Sequence, residues 1–322
     1  MNVILIQVKI KNNMLDYDFT YLGCGNKISA KNLINLGFIE NYSKLENDSE
    51  FARLYDKDVA VSVDTVMPIS NSIKLYVEST FYHCANDLYS YGVIPKYCTI
   101  SFGFYFGLSD LEKKDIVEEM NKVLRLESVR CVNFHSYLSD QTSITMTIFG
   151  EKDLDVLDCS KINSGMKIIL TKPILDYGLD HDSSDSWVLS TSNKIVVELK
   201  KRYNVICKDV SGFGLIGSVF PFLYDSSCGV KLYKHSEFYI GDNKEEHCSF
   251  RRNIESFSDY VSSEIRDDFM FNKMFIGQTN GPVVIFTNDC EQVLSYLSLH
   301  DLCPILIGEV VTSGSDIKID FK

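Results

Sequence analysis

The chain has 322 residues, enough for two domains with substantial cores. Its 45% hydrophobic and 24% charged residues describe a folded globular protein and exclude disorder as the default state. A formal net charge of -12 argues against broad binding to nucleic acid or an anionic membrane, yet leaves a nucleotide open, because metal ions bridge acidic side chains to phosphates.

The first ten residues hold a short apolar run, 3–6, broken by Gln7 and Lys9. It is too short for a secretory core and reads as a strand. No run approaches the roughly 18 to 20 apolar residues of a membrane span. Ten scattered cysteines with no CxxC pair suggest neither a zinc site nor a compact disulfide framework, and a cytoplasmic protein with reduced thiols is expected.

Gly23-Cys24-Gly25-Asn26-Lys27 is the first chemically suggestive stretch. Glycines on both sides free the backbone around the thiol, and a cation three residues on can lower a thiol pKa or neutralise an anionic substrate. A turn around an ordinary cysteine is the plainer alternative. Ser29 is placed to cap a short helix over 31–36, ended by Gly37. The polar stretch 44–50 reads as a loop, and 52–63 as a hairpin turning at 56–58. Asp64 then follows the second strand directly, a usual position for a site residue in α/β folds. Apolar spacing predicts a helix over 73–91 with Asp87 near its end, and 97–106 is an aromatic strand. Ser109 and Glu112 form a capping box at the start of a helix over 109–126. Strands are expected at 129–132 and 143–149, flanking Asn133-Phe134-His135-Ser136.

A charged connection, 150–165, marks a domain boundary, with residues 1–157 in one domain and 158–322 in the other. Beyond it the pattern gives a strand at 166–170 and a helix at 190–202. A strand at 205–207 leads into Lys208-Asp209-Val210-Ser211-Gly212-Phe213-Gly214. The polar stretch 241–252 reads as an exposed loop. A strand at 282–286, a helix at 289–299 and a final strand at 303–311 complete the chain. Alternating strands and helices in both halves indicate an α/β or α+β protein.

Taken in order, the Gly23–Ser29 block, Leu170-Thr171-Lys172-Pro173, the Asp209–Gly217 block, Arg252-Asn253, Gln278-Thr279-Asn280-Gly281 and Ile307-Gly308-Glu309-Val310 resemble selenophosphate synthetase. That resemblance implies a two-domain aminoimidazole ribonucleotide synthetase-like fold, with an N-terminal dimerising β-sheet domain and a C-terminal α/β sandwich. It implies conversion of ATP, selenide and water to selenophosphate, AMP and phosphate, with magnesium, in a homodimer. In the mapping, Cys24 takes the place of the catalytic cysteine or selenocysteine and Lys27 that of the catalytic, ATP-contacting lysine. Asp48, Asp87 and Asp209 fall on metal-binding aspartates, and Asp87 also on an ATP contact. Asp64 falls on a nucleotide-site aspartate. Phe134, His135 and Ser136 occupy the place of a Gly-Gly-His-Ser/Thr nucleotide loop.

Several positions depart from the family pattern. Asn133 and Phe134 replace two glycines, His83 stands where asparagine is usual, and Pro282 replaces one glycine of a pair. Two alternatives therefore accompany the enzyme: a catalytically reduced paralogue that keeps the scaffold for regulation or partner binding, and another ATP-dependent member of the superfamily.

Overall fold

The structure is a computed structural model that describes residues 29–37, 39–46, 50–54, 57–152, 161–175, 184–233, 238–241, 248–262, 269–313 and 318–321. Cys24, Lys27 and Asp48, the expected strand at 3–6 and the boundary at 157/158 lie outside the described residues. Helix α1 (Ala30–Asn35) begins where Ser29 Oγ accepts the Asn32 N–H at 3.2 Å. It stops at Gly37, whose φ of +77° ends a right-handed helix without steric cost. The stretch expected as a loop at 44–50 instead carries the end of a 3₁₀ turn, Tyr42–Glu46, and the first residue of a strand. Tyr42 and Leu45 are buried, which is what holds that turn in place.

Strands β1 (Glu50–Leu54) and β2 (Lys57–Val66) form the expected hairpin. Helix α2 (Ile73–Ser90) is capped by Ser72, whose Oγ accepts the Leu75 N–H at 3.3 Å. Strand β3 (Tyr97–Tyr105), helix α3 (Asp110–Leu126), and strands β4 (Arg130–Ser139) and β5 (Ser143–Glu151) complete a five-stranded sheet in the order β1-β2-β5-β3-β4. Strands β3 and β4 pair in parallel, as a crossover through α3 requires. The capping box forms: Glu112 N donates to Ser109 Oγ at 3.2 Å and Ser109 N to Glu112 Oε2 at 2.7 Å.

Two sequence expectations change here. Strand β2 does not stop before Asp64 but continues to Val66, because its ladder with β5 persists through Val66 opposite Ile144. Residues 133–136 are not a loop between strands; they lie within β4, which pairs with β3 from Arg130 to Ser139. Strand β4 is the sheet edge and is exposed along nearly its whole length, so it lacks the alternation that marks a half-buried strand.

The second half contains β6 (Lys167–Leu170), β7 (Ile174–Leu175), α4 (Trp187–Ser190), α5 (Ile195–Arg202), β8 (Val205–Asp209) and α6 (Gly214–Tyr224). These are followed by β9 (Cys228–Leu232), β10 (Tyr239–Ile240), α7 (Cys248–Phe257), α8 (Phe269–Lys273), β11 (Val283–Thr287), α9 (Cys290–Ser298), β12 (Ile305–Thr312) and β13 (Ile319–Phe321). The helix expected at 190–202 is two helices, interrupted at 191–193, where Asn193 turns inward to bond other elements. The stretch expected as a loop at 241–252 includes the start of α7. The buried residues there include Ser249, Asn253 and Ser256 at helical spacing, and polar residues hid the pattern. Strand β13 follows the strand expected to be last and pairs in parallel with β9.

A six-stranded sheet runs β13-β9-β12-β6-β11-β8. Its residues alternate between two cores. Ile168, Leu170, Ile206, Val284 and Phe286 pack with α6, α7 and α8, whereas Ile169, Val205, Cys207, Val283 and Ile285 pack with α5 and α9. Burial on both faces explains the unbroken apolar run of β11. The result is a three-layer α/β/α sandwich.

The five-stranded sheet has helices α2 and α3 on one face. Helix α2 is buried on every side from Ser79 to Ser90, because it lies between that sheet and α4, α5 and β8 of the sandwich. One apolar cluster joins Ile69 and Leu75 to Leu175, Val188 and Leu189, and Val197 of α5 belongs to the core of the first sheet. Helix α1 and the 3₁₀ turn pack on the sandwich instead: Tyr42 OH donates to Ser256 O at 2.8 Å and Lys31 N to Ser256 Oγ at 3.2 Å.

Candidate active site

The central feature is a pair of rungs between β2 and α2. Ser62 and Asp64, two apart on a strand, share one face, and His83 and Asp87, four apart on a helix, share another. Because the helix returns antiparallel to the strand, Ser62 meets Asp87 while Asp64 meets His83. The Ser62 hydroxyl donates to Asp87 Oδ2, and His83 Nε2 lies 3.6 Å from Asp64 Oδ1. Asp87 is only 5% exposed and His83 2%. A buried carboxylate is costly unless its charge is compensated, so this placement favours a cation or donors at the site.

Asp209 closes β8, which packs against α2. It is 2% exposed, and Lys208 Nζ stands 3.4 Å from its Oδ1. The chain leaves the strand through 210–213 into α6, and two glycines permit the close packing there. A Cβ on Gly281 would lie 2.1 Å from Val210 O, and one on Gly214, at φ +69°, would lie 2.6 Å from Met274 O.

A buried polar bridge links the two aspartates' elements. Val210 N donates to Pro282 O at 2.8 Å, and Asn193 Nδ2 donates to both Gly281 O at 3.0 Å and Asn86 Oδ1 at 3.1 Å. Asn86 Nδ2 donates in turn to Asn280 Oδ1 at 2.9 Å, and Thr171 Oγ1 donates to Asn193 Oδ1 at 2.7 Å. Asn86 precedes Asp87, so this network ties the helix carrying one carboxylate to the sheet edge carrying the other. Lys172, fully buried beside it, donates to Val188 O at 2.6 Å and Thr191 O at 2.9 Å. Burial holds its pKa well below the usual lysine range.

Asp64 and Asp87 thus meet between β2 and α2, and Asp209 closes β8, a strand that packs against α2. Phe134, His135 and Ser136 do not join them: they are exposed on β4, with Phe134 73% exposed and His135 stacked on Tyr137 at 6.1 Å. Sequence reasoning missed Ser62, Asn193 and Lys208. Only Ser62 left a trace, in its i, i+2 spacing from Asp64. Carboxylate oxygens of the Asp87 and Asp209 type suit a hard divalent cation such as magnesium, which is commonly held by one or two carboxylates plus phosphate oxygens and waters. Among the described residues no three His, Cys, Asp or Glu side chains are grouped so as to hold a metal ion.

No protein-family model matches the chain. Curated proteins named selenide, water dikinase do. That of Pelobacter propionicus is 22% identical over 296 residues, covering 82% of this chain and 83% of its own. That of Treponema denticola is 25% identical over 264 residues, covering 70% and 73%. Among solved structures, the hydrogenase maturation protein HypE of E. coli superposes with a TM-score of 0.61 at 20% identity, covering 90% and 93% of the two chains. Thiamine monophosphate kinase of Aquifex aeolicus gives 0.60 at 13% identity, covering 84% and 90%. These likenesses establish an aminoimidazole ribonucleotide synthetase-like fold, and the sequence resemblance to selenide, water dikinases extends over most of the chain.

Proposed function

We propose that the chain is an ATP-dependent selenophosphate synthetase that forms selenophosphate, AMP and phosphate from ATP, selenide and water. The observation that carries this reading is the similarity to proteins named selenide, water dikinase over 82% of the chain, in a sequence that retains Cys24, Lys27, Asp64, Asp87 and Asp209. A solved HypE structure in complex with ATP, with a TM-score of 0.59, adds support for a nucleotide.

In this reading Asp87 and Asp209, with Asp48, hold magnesium, which when bound neutralises triphosphate charge. Ser62 orients the Asp87 carboxylate by donating to its Oδ2. Asp64, Asp87 and Lys27 contact the nucleotide. Phe134, His135 and Ser136 stand apart from this group on β4, and the reading assigns them no nucleotide contact there. Lys27 supplies a cation to the phosphates, and Cys24 handles selenium. Lys31 N, four residues beyond Lys27, donates to Ser256 Oγ and so ties the start of α1 to the sandwich. Four residues lie between Cys24 and Ser29, so the five steps reach roughly 17 Å when extended.

The same reading assigns 1–157 to nucleotide binding and dimerisation and 158–322 to the sandwich, in a cytoplasmic homodimer. The edge of β4, unpaired among the described residues and with Val132, Phe134 and Leu138 exposed, supports pairing with a second copy. Phosphorus NMR of the protein with ATP, magnesium and selenide under anaerobic conditions tests the activity. Selenophosphate and AMP are the expected products, and their absence from active-folded protein overturns it. A second reading, a catalytically reduced paralogue, is favoured by one observation: 133–136 form an exposed strand where a glycine loop would let backbone approach phosphate. It predicts no AMP and weak nucleotide binding by calorimetry.

A further inference from the structure

The ladder between β3 and β4 sets Cys98 directly opposite Cys131, and the register then slips so that Thr99 pairs with Asn133. Neighbouring strands lie about 4.8 Å apart. That falls within the Cα separation of roughly 4.4–6.8 Å that a disulfide spans. Both side chains point to the helix-covered face. Cys98 is fully buried, and Cys131 is partly buried against the same core. Cys131 Sγ donates to Asn133 O at 3.1 Å, just beyond the register slip. Both cysteines are reduced in the structure.

We infer that Cys98 and Cys131 are an oxidisable pair, which a small-molecule disulfide such as oxidised glutathione converts to an intrachain disulfide. Cys131 is the more accessible and reacts first. Its thiolate attacks one glutathione sulfur, forming a mixed disulfide and expelling one glutathione thiolate, which takes up a proton. Cys98 then loses its proton to solvent and attacks the Cys131 sulfur, expelling the second glutathione. Two protein thiols are oxidised and one glutathione disulfide is reduced to two thiols.

The order follows from the surroundings. Burial first, and the neighbouring Cys131 second, push the Cys98 thiol up to about 12, and capping Cys131 removes the second contribution. Cys131 is partly exposed, and exposed disulfides are the labile, regulatory ones. Oxidation also removes the proton that Cys131 donates to Asn133 O, so it alters the β4 backbone at the slip. The pair stands independently of the proposed reaction.

The test uses the full chain, reduced and then incubated with oxidised glutathione without oxygen. Remaining thiols are alkylated and peptides mapped by mass spectrometry, since ten cysteines make a thiol count ambiguous. The expected result is a cross-linked pair of peptides carrying Cys98 and Cys131, reversed by dithiothreitol. In Cys98→Ser, Cys131 stops as a glutathione adduct; in Cys131→Ser, the cross-link is lost. A stable glutathione adduct on Cys131 beside reduced Cys98 in the unsubstituted chain overturns the inference. So do linkages formed solely among other cysteines.

Discussion

Ser62 occupies a position where removal of a single oxygen has a readable effect. Its hydroxyl is a neutral donor to a buried carboxylate, and it touches neither the nucleotide nor the cation in the proposed site. Ser62→Ala leaves Asp87 in place but less well oriented. Loss of such a supporting bond to a metal-binding group typically costs about 10- to 100-fold in metal affinity or activity. Magnesium titration of ATP turnover should therefore show a higher magnesium requirement with a smaller change in the maximal rate. Asp87→Asn removes the charge itself and should lower turnover by roughly 100-fold or more. Asp87 could be singled out from sequence because the family resemblance maps a metal-binding aspartate onto it near the end of an expected helix. Its partner could not, since the contact joins residues 25 apart and exists only once α2 folds back on β2.

Helix α3 shows how local chemistry makes an element legible. Ser109 and Glu112 announce its start, and the structure has both halves of the capping box. Ser109→Ala should destabilise the protein by about 1 kcal/mol, read from chemical denaturation. The hydroxyl, then the backbone N–H, of Ser109 holds the Glu112 pKa below its ordinary 4.5. Its contribution is present above the unfolded-state value and is lost as pH falls through the lower folded value. In Ser109→Ala, NMR titration of Glu112 should show the pKa moving upward and this part of the acid sensitivity shrinking. Strand β4 and helix α7 were illegible for opposite reasons. The strand is exposed on both faces and so shows no alternation, whereas the helix buries serine and asparagine where apolar residues were sought. Helix α2 was readable by its spacing, but its burial from both sides was not. Phe81→Ala at its centre should cost about 3–5 kcal/mol, measured by the same denaturation.

At the scale of the molecule, the proposed dimer gives a direct expectation. Leu138→Lys places a charge on the exposed β4 edge and should shift sedimentation velocity toward monomer while leaving the circular dichroism spectrum unchanged. The two-layer and three-layer halves were foreseeable from alternating strands and helices, whereas the attachment of residues 30–46 to the sandwich was not, because nothing in that short segment specifies its distant partner. The shared position of α2 has a consequence for experiments that divide the polypeptide. Asn86, Leu75 and Ile69 find their complements on the far side of the chain, in Asn193, Asn280, Leu175 and Leu189. A gene split near codon 152 would thus yield two fragments, each lacking part of its own interior. They should be insoluble when made separately and recover a common fold when produced in the same cell.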